Sequence, residues 1–153
     1  MAIRDNTIKQ FINDRDENIS IGIKYPPHRS TSGHDGIFEG TKTTHETLKS
    51  NLICLLKTEQ GERIMQPNFG IPWKKYLFEQ LDLQLIDDMK LDISNSINFW
   101  LPFVDIQDIN ITTNIKSEHE VDNMNNTIKV TILFVLKSDP TSLQQVSTEV
   151  AGD

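Results

Sequence analysis

The chain has 153 residues, 37% of them apolar and 24% charged, with a formal net charge of −7. That length suits one domain whose core covers about two thirds of the surface the unfolded chain exposes. The acidic balance argues against a nucleic-acid binder, which needs a basic face for phosphate, and against an anionic membrane surface as partner. Cys54 is the single cysteine, so no intramolecular disulfide is possible. On the apolar side of a helix it reads as a small buried hydrophobe. The start, MAIRDNTIKQ, lacks the apolar centre of a signal peptide. No run approaches the ~18 apolar residues of a bilayer span. The expectation is a chain made and kept in the cytosol unless an assembly carries it out.

Residues 1–17 are polar, with a faint helical stripe of Ile3, Ile8, Phe11 and Ile12. Such ends often order only against a partner. Residues 18–25, NISIGIKY, alternate Ile19, Ile21, Ile23 and Tyr25 with smaller or polar residues, which predicts a strand. Residues 28–42 are rich in Gly, Ser and Thr and read as a long loop. His28, His34, Asp35 and His45 match no metal-ligand spacing, so the expectation is a polar loop with no metal.

Thr43-Thr44-His45-Glu46 is a capping box: the Thr43 hydroxyl accepts the Glu46 amide and the Glu46 carboxylate reaches back to Thr43. Leu48, Leu52, Ile53, Leu55 and Leu56 then return to one helical face. Gly61 is the expected terminator. The connector that follows holds Arg63, Ile64, Met65, Pro67, Phe69, Pro72 and Trp73, too apolar for a solvated loop, and is expected to pack. Asp82 can cap a second long helix with Ile86, Met89, Ile93 and Ile97 as its buried stripe. That stripe needs a partner, and the first helix is the obvious one. Pro102 ends this helix.

Residues 104–115 read as a strand with a phase slip. Val104 and Ile106 have one parity and Ile109, Ile111 and Ile115 the other, so one extra residue near Gln107-Asp108, a bulge, repairs the alternation. Residues 117–126 are a polar turn. Residues 127–137 are the clearest strand, with Ile128, Val130, Ile132, Phe134 and Leu136 on one side. The two strands predict an antiparallel hairpin. Ser138-Asp139-Pro140 breaks the second strand, and residues 143–150 suit a strand or a short helix. Residues 151–153 should fray. The fold class is α+β: a small antiparallel sheet packed on two or three helices, with an extended N-terminal arm. The expected division is an arm and loop over 1–42 and one domain over 43–153.

The run Lys57-Thr58-Glu59-Gln60-Gly61-Glu62-Arg63, then Pro67-Asn68-Phe69-Gly70, then Leu77-Phe78-Glu79, behind a helix, resembles the baseplate wedge family of contractile-tailed phages. Cousins of that family serve type VI secretion systems. The resemblance is firmest over 43–79, weaker to about residue 139, and weakest over the first forty. It implies the same α+β arrangement. It implies a structural subunit in the virion tail baseplate, assembled in the host cytoplasm. Its partners would be other wedge proteins and the tail sheath protein, with which it accepts or exchanges strands. It also implies a Glu-Pro-Arg triplet where the long helix ends, linked to docking on a neighbouring wedge subunit. This chain has Leu101-Pro102-Phe103, so an apolar contact through Phe103 would replace the charges, or Leu101 and Phe103 join the core.

Some members of that family carry a lysozyme-like label, and a retaining glycosidase needs two carboxylates about 5 Å apart, one in an apolar setting. Glu46, Glu59, Glu62 and Glu79 are the acids near the central stretch, and no pair among them is singled out. No G-x-S-x-G elbow or phosphate-cradling loop is present. The reading is therefore a binding protein, not an enzyme, with no cofactor. Candidate partner-binding residues are Arg63, which can fork onto a carboxylate or carbonyls, the aromatics Phe69 and Trp73, and Pro102 with Phe103. Residues 18–25 and 127–137 can add a strand from another chain. A small peptidoglycan hydrolase and a regulatory adaptor on the same fold are the alternatives.

Overall fold

The computed structural model describes residues 19–30, 37–77, 79, 82–113 and 127–151. The stripe of 1–17, the middle of the 28–42 loop, Phe78 and the 117–126 turn lie outside them. The elements are β1 (Gly22–Ile23), β2 (Gly40–Thr41), α1 (Thr44–Lys57), α2 (Trp73–Leu77), α3 (Leu83–Trp100), β3 (Val104–Thr113), β4 (Thr127–Leu136) and β5 (Asp139–Ala151). This is the expected α+β class. β3, β4 and β5 form an antiparallel sheet in that order, while β1 and β2 make a separate two-stranded ribbon.

The sheet's core face follows from one irregularity. Val104 pairs with Leu136 and Ile106 with Phe134. Asp108 then pairs with Leu133 and Ile109 with Ile132, so Gln107 is the extra residue. The bulge brings Val104, Ile106, Ile109 and Ile111 onto the side that carries Ile128, Val130, Ile132, Phe134 and Leu136. β5 follows β4 through a two-residue turn, pairing Asp139 with Leu136. It is a strand, not a helix. Its register slips between Asp139 and Gln144, where Pro140 falls, and is regular from Gln144 to Ala151. Proline is tolerated at such an edge irregularity because no ladder bond is demanded of it. Ser138-Asp139-Pro140 therefore turns the chain straight into a third strand.

α1 packs chiefly on β5 and α3 on β3, and the two helices also touch each other. Both lie on the core face. Leu48, Leu52, Leu55 and Leu56 of α1 meet Leu85, Met89, Ile93 and Ile97 of α3 and the strand residues in one cluster. Each fully buried aliphatic side chain contributes about 1.5–3 kcal/mol. Ile86, expected in the stripe, is only half-buried, and Leu85 takes its place one position earlier.

The Thr43 hydroxyl accepts the Glu46 amide, as the capping box requires. The Glu46 carboxylate accepts the Lys42 amide, one residue earlier than expected. The helix stops at Thr58, whose backbone is extended and whose hydroxyl and amide both donate to the Cys54 carbonyl. Gly61 lies beyond the helix end, in the following turn with φ +93°.

Of the predicted strand 18–25, Asn18 lies outside the described residues, and 19–25 do not form a long strand. β1 is two residues, and Ile19, Ile21 and Ile23 point outward because Gly22 is the residue turned toward α1, against Thr47. Nor are 28–30 and 37–41 free loop. The Ser30 amide donates to the Ile37 carbonyl, the Glu39 amide to His28, and the Lys24 amide to Glu39. The ribbon rests on α1 through Thr41, whose hydroxyl contacts that of Thr47, and through the Tyr25 amide, which donates to Ser50.

Candidate interaction surfaces

The chain after α1 folds into a closed loop. The Ile71 amide donates to the Thr58 carbonyl, the Gln60 amide to Ile71, and the Gly61 amide to Pro67. Gly70, with φ +109°, makes this closure possible, because a Cβ there would lie 2.3 Å from the Thr58 carbonyl oxygen. Glu59 then accepts the Trp73 and Lys74 amides and caps α2. Its negative charge suits a helix N-terminus.

This loop sorts the candidate partner residues. Trp73 is 2% exposed and its indole N–H donates to the Leu56 carbonyl at 2.6 Å, so it is a core residue with no face for a partner. Arg63 sits over the Phe69 ring, with its guanidinium carbon 3.9 Å from the centroid, and donates to the Cys54 sulfur at 3.1 Å. Cys54 is thus half-buried and engaged, not fully enclosed. Phe69 meets Trp100 edge to face, and Trp100 meets Phe99 the same way, both at 5.1 Å between centroids. The result is a continuous ladder Arg63–Phe69–Trp100–Phe99 joining the loop to the end of α3. Its outer rung, Phe99, is 74% exposed. At the loop tip the Gln66 amide closes a turn on Arg63, and the two corner residues, Ile64 and Met65, are 95% and 92% exposed. The expectation that the whole connector packs fails for these two, because the turn lifts them off the body.

The junction after α3 divides. Leu101 is buried, whereas Pro102 and Phe103 are exposed. The Lys137 ammonium donates to the Pro102 carbonyl and the Lys137 amide to Phe103, tying the junction to the β4 end. Phe99 and Trp100 read as a broadening of the apolar stripe, but Phe99 faces out; its position two residues past buried Ile97, rotated about 200° around the helix, is the signal that could have placed it there. Trp100's place in the ladder depends on Phe69, 31 positions earlier, which periodicity does not report.

The sheet presents two unlike edges. β3 carries the Gln107 bulge and the exposed acids Asp105 and Asp108, the usual protections of an edge strand. β5 from Gln144 to Ala151 is regular and contains one charge, Glu149, 3.7 Å from Lys129 of β4.

Three of the four acids near the central stretch hold backbone amides, and the fourth, Glu79, is exposed. Glu46 takes that of Lys42, Glu59 those of Trp73 and Lys74, and Glu62 that of Glu59. The Tyr76 hydroxyl donates to Asp92 of α3. Burial holds this phenol well above its ordinary value, and the Asp92 carboxylate adds to the shift. Among the described residues no three His, Cys, Asp or Glu side chains cluster as a metal site, and no helix is long and apolar enough to cross a membrane. His34 and Asp35 lie outside those residues.

Solved structures share this fold. A presumed tail lysozyme of Geobacter sulfurreducens superposes with a TM-score of 0.60 at 14% identity, over 74% of this chain and 95% of that one. A chain of the anti-feeding prophage baseplate gives 0.57 at 24% identity, over 75% and 83%. A chain of the type VI secretion baseplate complex gives 0.53 at 12% identity, over 70% and 92%. No curated protein matches in sequence. The family model of baseplate wedge protein gp25 matches residues 42–141, from just before α1 into the first residues of β5. The chain therefore belongs to the gp25 baseplate wedge family, whose role is structural.

Proposed function

We propose that this baseplate subunit also starts the tail sheath, its β5 edge receiving a strand from the first sheath ring while the surface at the end of α3 packs on other wedge proteins. The observation that carries this reading is the contrast between the sheet's edges. An eight-residue regular run with one charge offers its backbone groups on one side, and the bulged, acidic β3 withholds them on the other. Pro102 and Phe103 supply apolar contact at the α3 exit. The ribbon of residues 19–30 and 37–41 stays seated on α1 and turns Ile19, Ile21 and Ile23 outward, and these supply a further apolar contact for a neighbouring chain. The site of action is the tail baseplate of a virion, assembled in the host cytoplasm.

The role is mechanical and not hydrolytic. Glu46, Glu59 and Glu62 are committed to backbone amides at helix ends and turns, which is a capping duty. The test is assembly of tails with and without the chain, viewed by electron microscopy. Baseplates should form sheaths only when the chain is present. Sheaths of normal length on baseplates lacking it would overturn the reading, and cell-wall lysis by the purified chain would overturn its mechanical character.

A further inference from the structure

The Arg63 guanidinium is held on two sides. The Phe69 ring faces the guanidinium carbon and the Cys54 sulfur accepts from one nitrogen. A guanidinium carries five donors, and among the described residues no carboxylate reaches this one. The side chain is half-buried, so its orientation is fixed while part of it faces outward. Ile64 and Met65, next in the chain, are nearly wholly exposed at the corner of the turn that Arg63 opens, and from Arg63 the ladder runs through Phe69 and Trp100 to exposed Phe99. A cation held in place, with donors that no carboxylate among the described residues takes and with exposed apolar side chains joined to it by chain and by ring contact, is complementary to one kind of peptide.

We infer that the Arg63–Phe69–Trp100 ladder and the Ile64–Met65 tip form a docking site for a segment of a neighbouring baseplate chain that carries an Asp or Glu flanked by apolar side chains. The carboxylate takes the outward N–H groups of Arg63 as a forked pair. The flanking side chains cover Ile64 and Met65 on one side and Phe99 on the other. Stacking on Phe69 lowers the ordering cost of the arginine, because the fork is set before the partner arrives. The inference rests on the chain being a wedge subunit, and it is separate from the β5 edge.

A photo-crosslinking amino acid at position 65, in a chain assembled with the other proteins of its baseplate, identifies the occupant. The crosslinked peptide, read by mass spectrometry, should contain a carboxylate within a few residues of the link and come from another baseplate protein. Arg63→Glu should then lower incorporation about tenfold, and reversing the mapped partner acid to Arg should restore most of it. Arg63→Lys, which keeps charge but loses the fork, should fall between. If Arg63→Glu melts well below the parent, Ile64→Ser with Met65→Ser, at residues that support no core, must give the same loss. A crosslink to a peptide without an acid, a crosslink to a second copy of this chain, or full incorporation of Arg63→Glu overturns the inference alone. Failure of the unaltered chain to enter baseplates overturns the wedge reading beneath it.

Discussion

Tyr76 joins the shortest helix to the longest. The residue is 1% exposed and its hydroxyl donates to Asp92 on α3, so α2 is tied down by both packing and a charge-assisted hydrogen bond. Tyr76→Phe keeps the ring and removes the donor. Stability at neutral pH should drop by about 1–2 kcal/mol, read by urea unfolding, because Asp92 is half-buried and water replaces only part of the bond. The pH response is more diagnostic. The folded phenol titrates above the 10.0 of a free tyrosine, so its contribution is complete below that pH and is lost as pH rises through the folded value. The parent should therefore weaken more steeply above about pH 10 than Tyr76→Phe. Parallel slopes would mean that the hydroxyl is not held as described.

At the scale of the element, β3 shows what one inserted residue does. Removing Gln107 leaves Val104, Ile106, Ile109 and Ile111 in strict alternation, all still on the core face. The deletion should therefore fold, with stability within about 1 kcal/mol of the parent by thermal unfolding. What it removes is the local kink that keeps this edge from pairing, so the variant should sediment as larger species at concentrations where the parent does not. Loss of cooperative unfolding would show that Gln107 is needed for packing instead. This bulge was legible in the sequence, because a parity switch among apolar residues has a single cheap repair. The long helices were legible for the same reason, since their apolar positions repeat at the helical period. The ribbon was not. Its Ile19, Ile21 and Ile23 alternate correctly, yet face out, and alternation says which residues share a side without saying which side is covered. Helix α1 ended early because Thr58 satisfies the Cys54 carbonyl with its own hydroxyl, a local competition that the later Gly61 concealed. The aromatic ladder joins residues over thirty positions apart and has no periodic signature.

For the molecule as a whole, stability and assembly draw on different surfaces. The core lies between the helices and one sheet face and includes Ile132, Phe134 and Val146, while the outer positions Gln145, Ser147 and Glu149 of β5 are exposed. Changing Gln145 and Ser147 to Lys leaves the core cluster intact and should move the melting temperature by no more than about 0.5 kcal/mol of stability allows. Ser147 does contact the Thr131 hydroxyl at 3.3 Å, but a single exposed hydroxyl pair of this kind contributes little. The same pair of charges places lysines on an edge that has none, the device by which edge strands refuse partners. Gln145→Lys with Ser147→Lys should therefore enter baseplates at the parent level and yet fail to support sheath growth, whereas Arg63→Glu should be lost at the earlier step of incorporation. Two variants of a similarly folded chain, failing at different stages, would separate the edge that receives a strand from the ladder that grips a neighbour. If both fail at incorporation, or if the lysine variant builds sheaths normally, β5 is not the edge that the sheath uses.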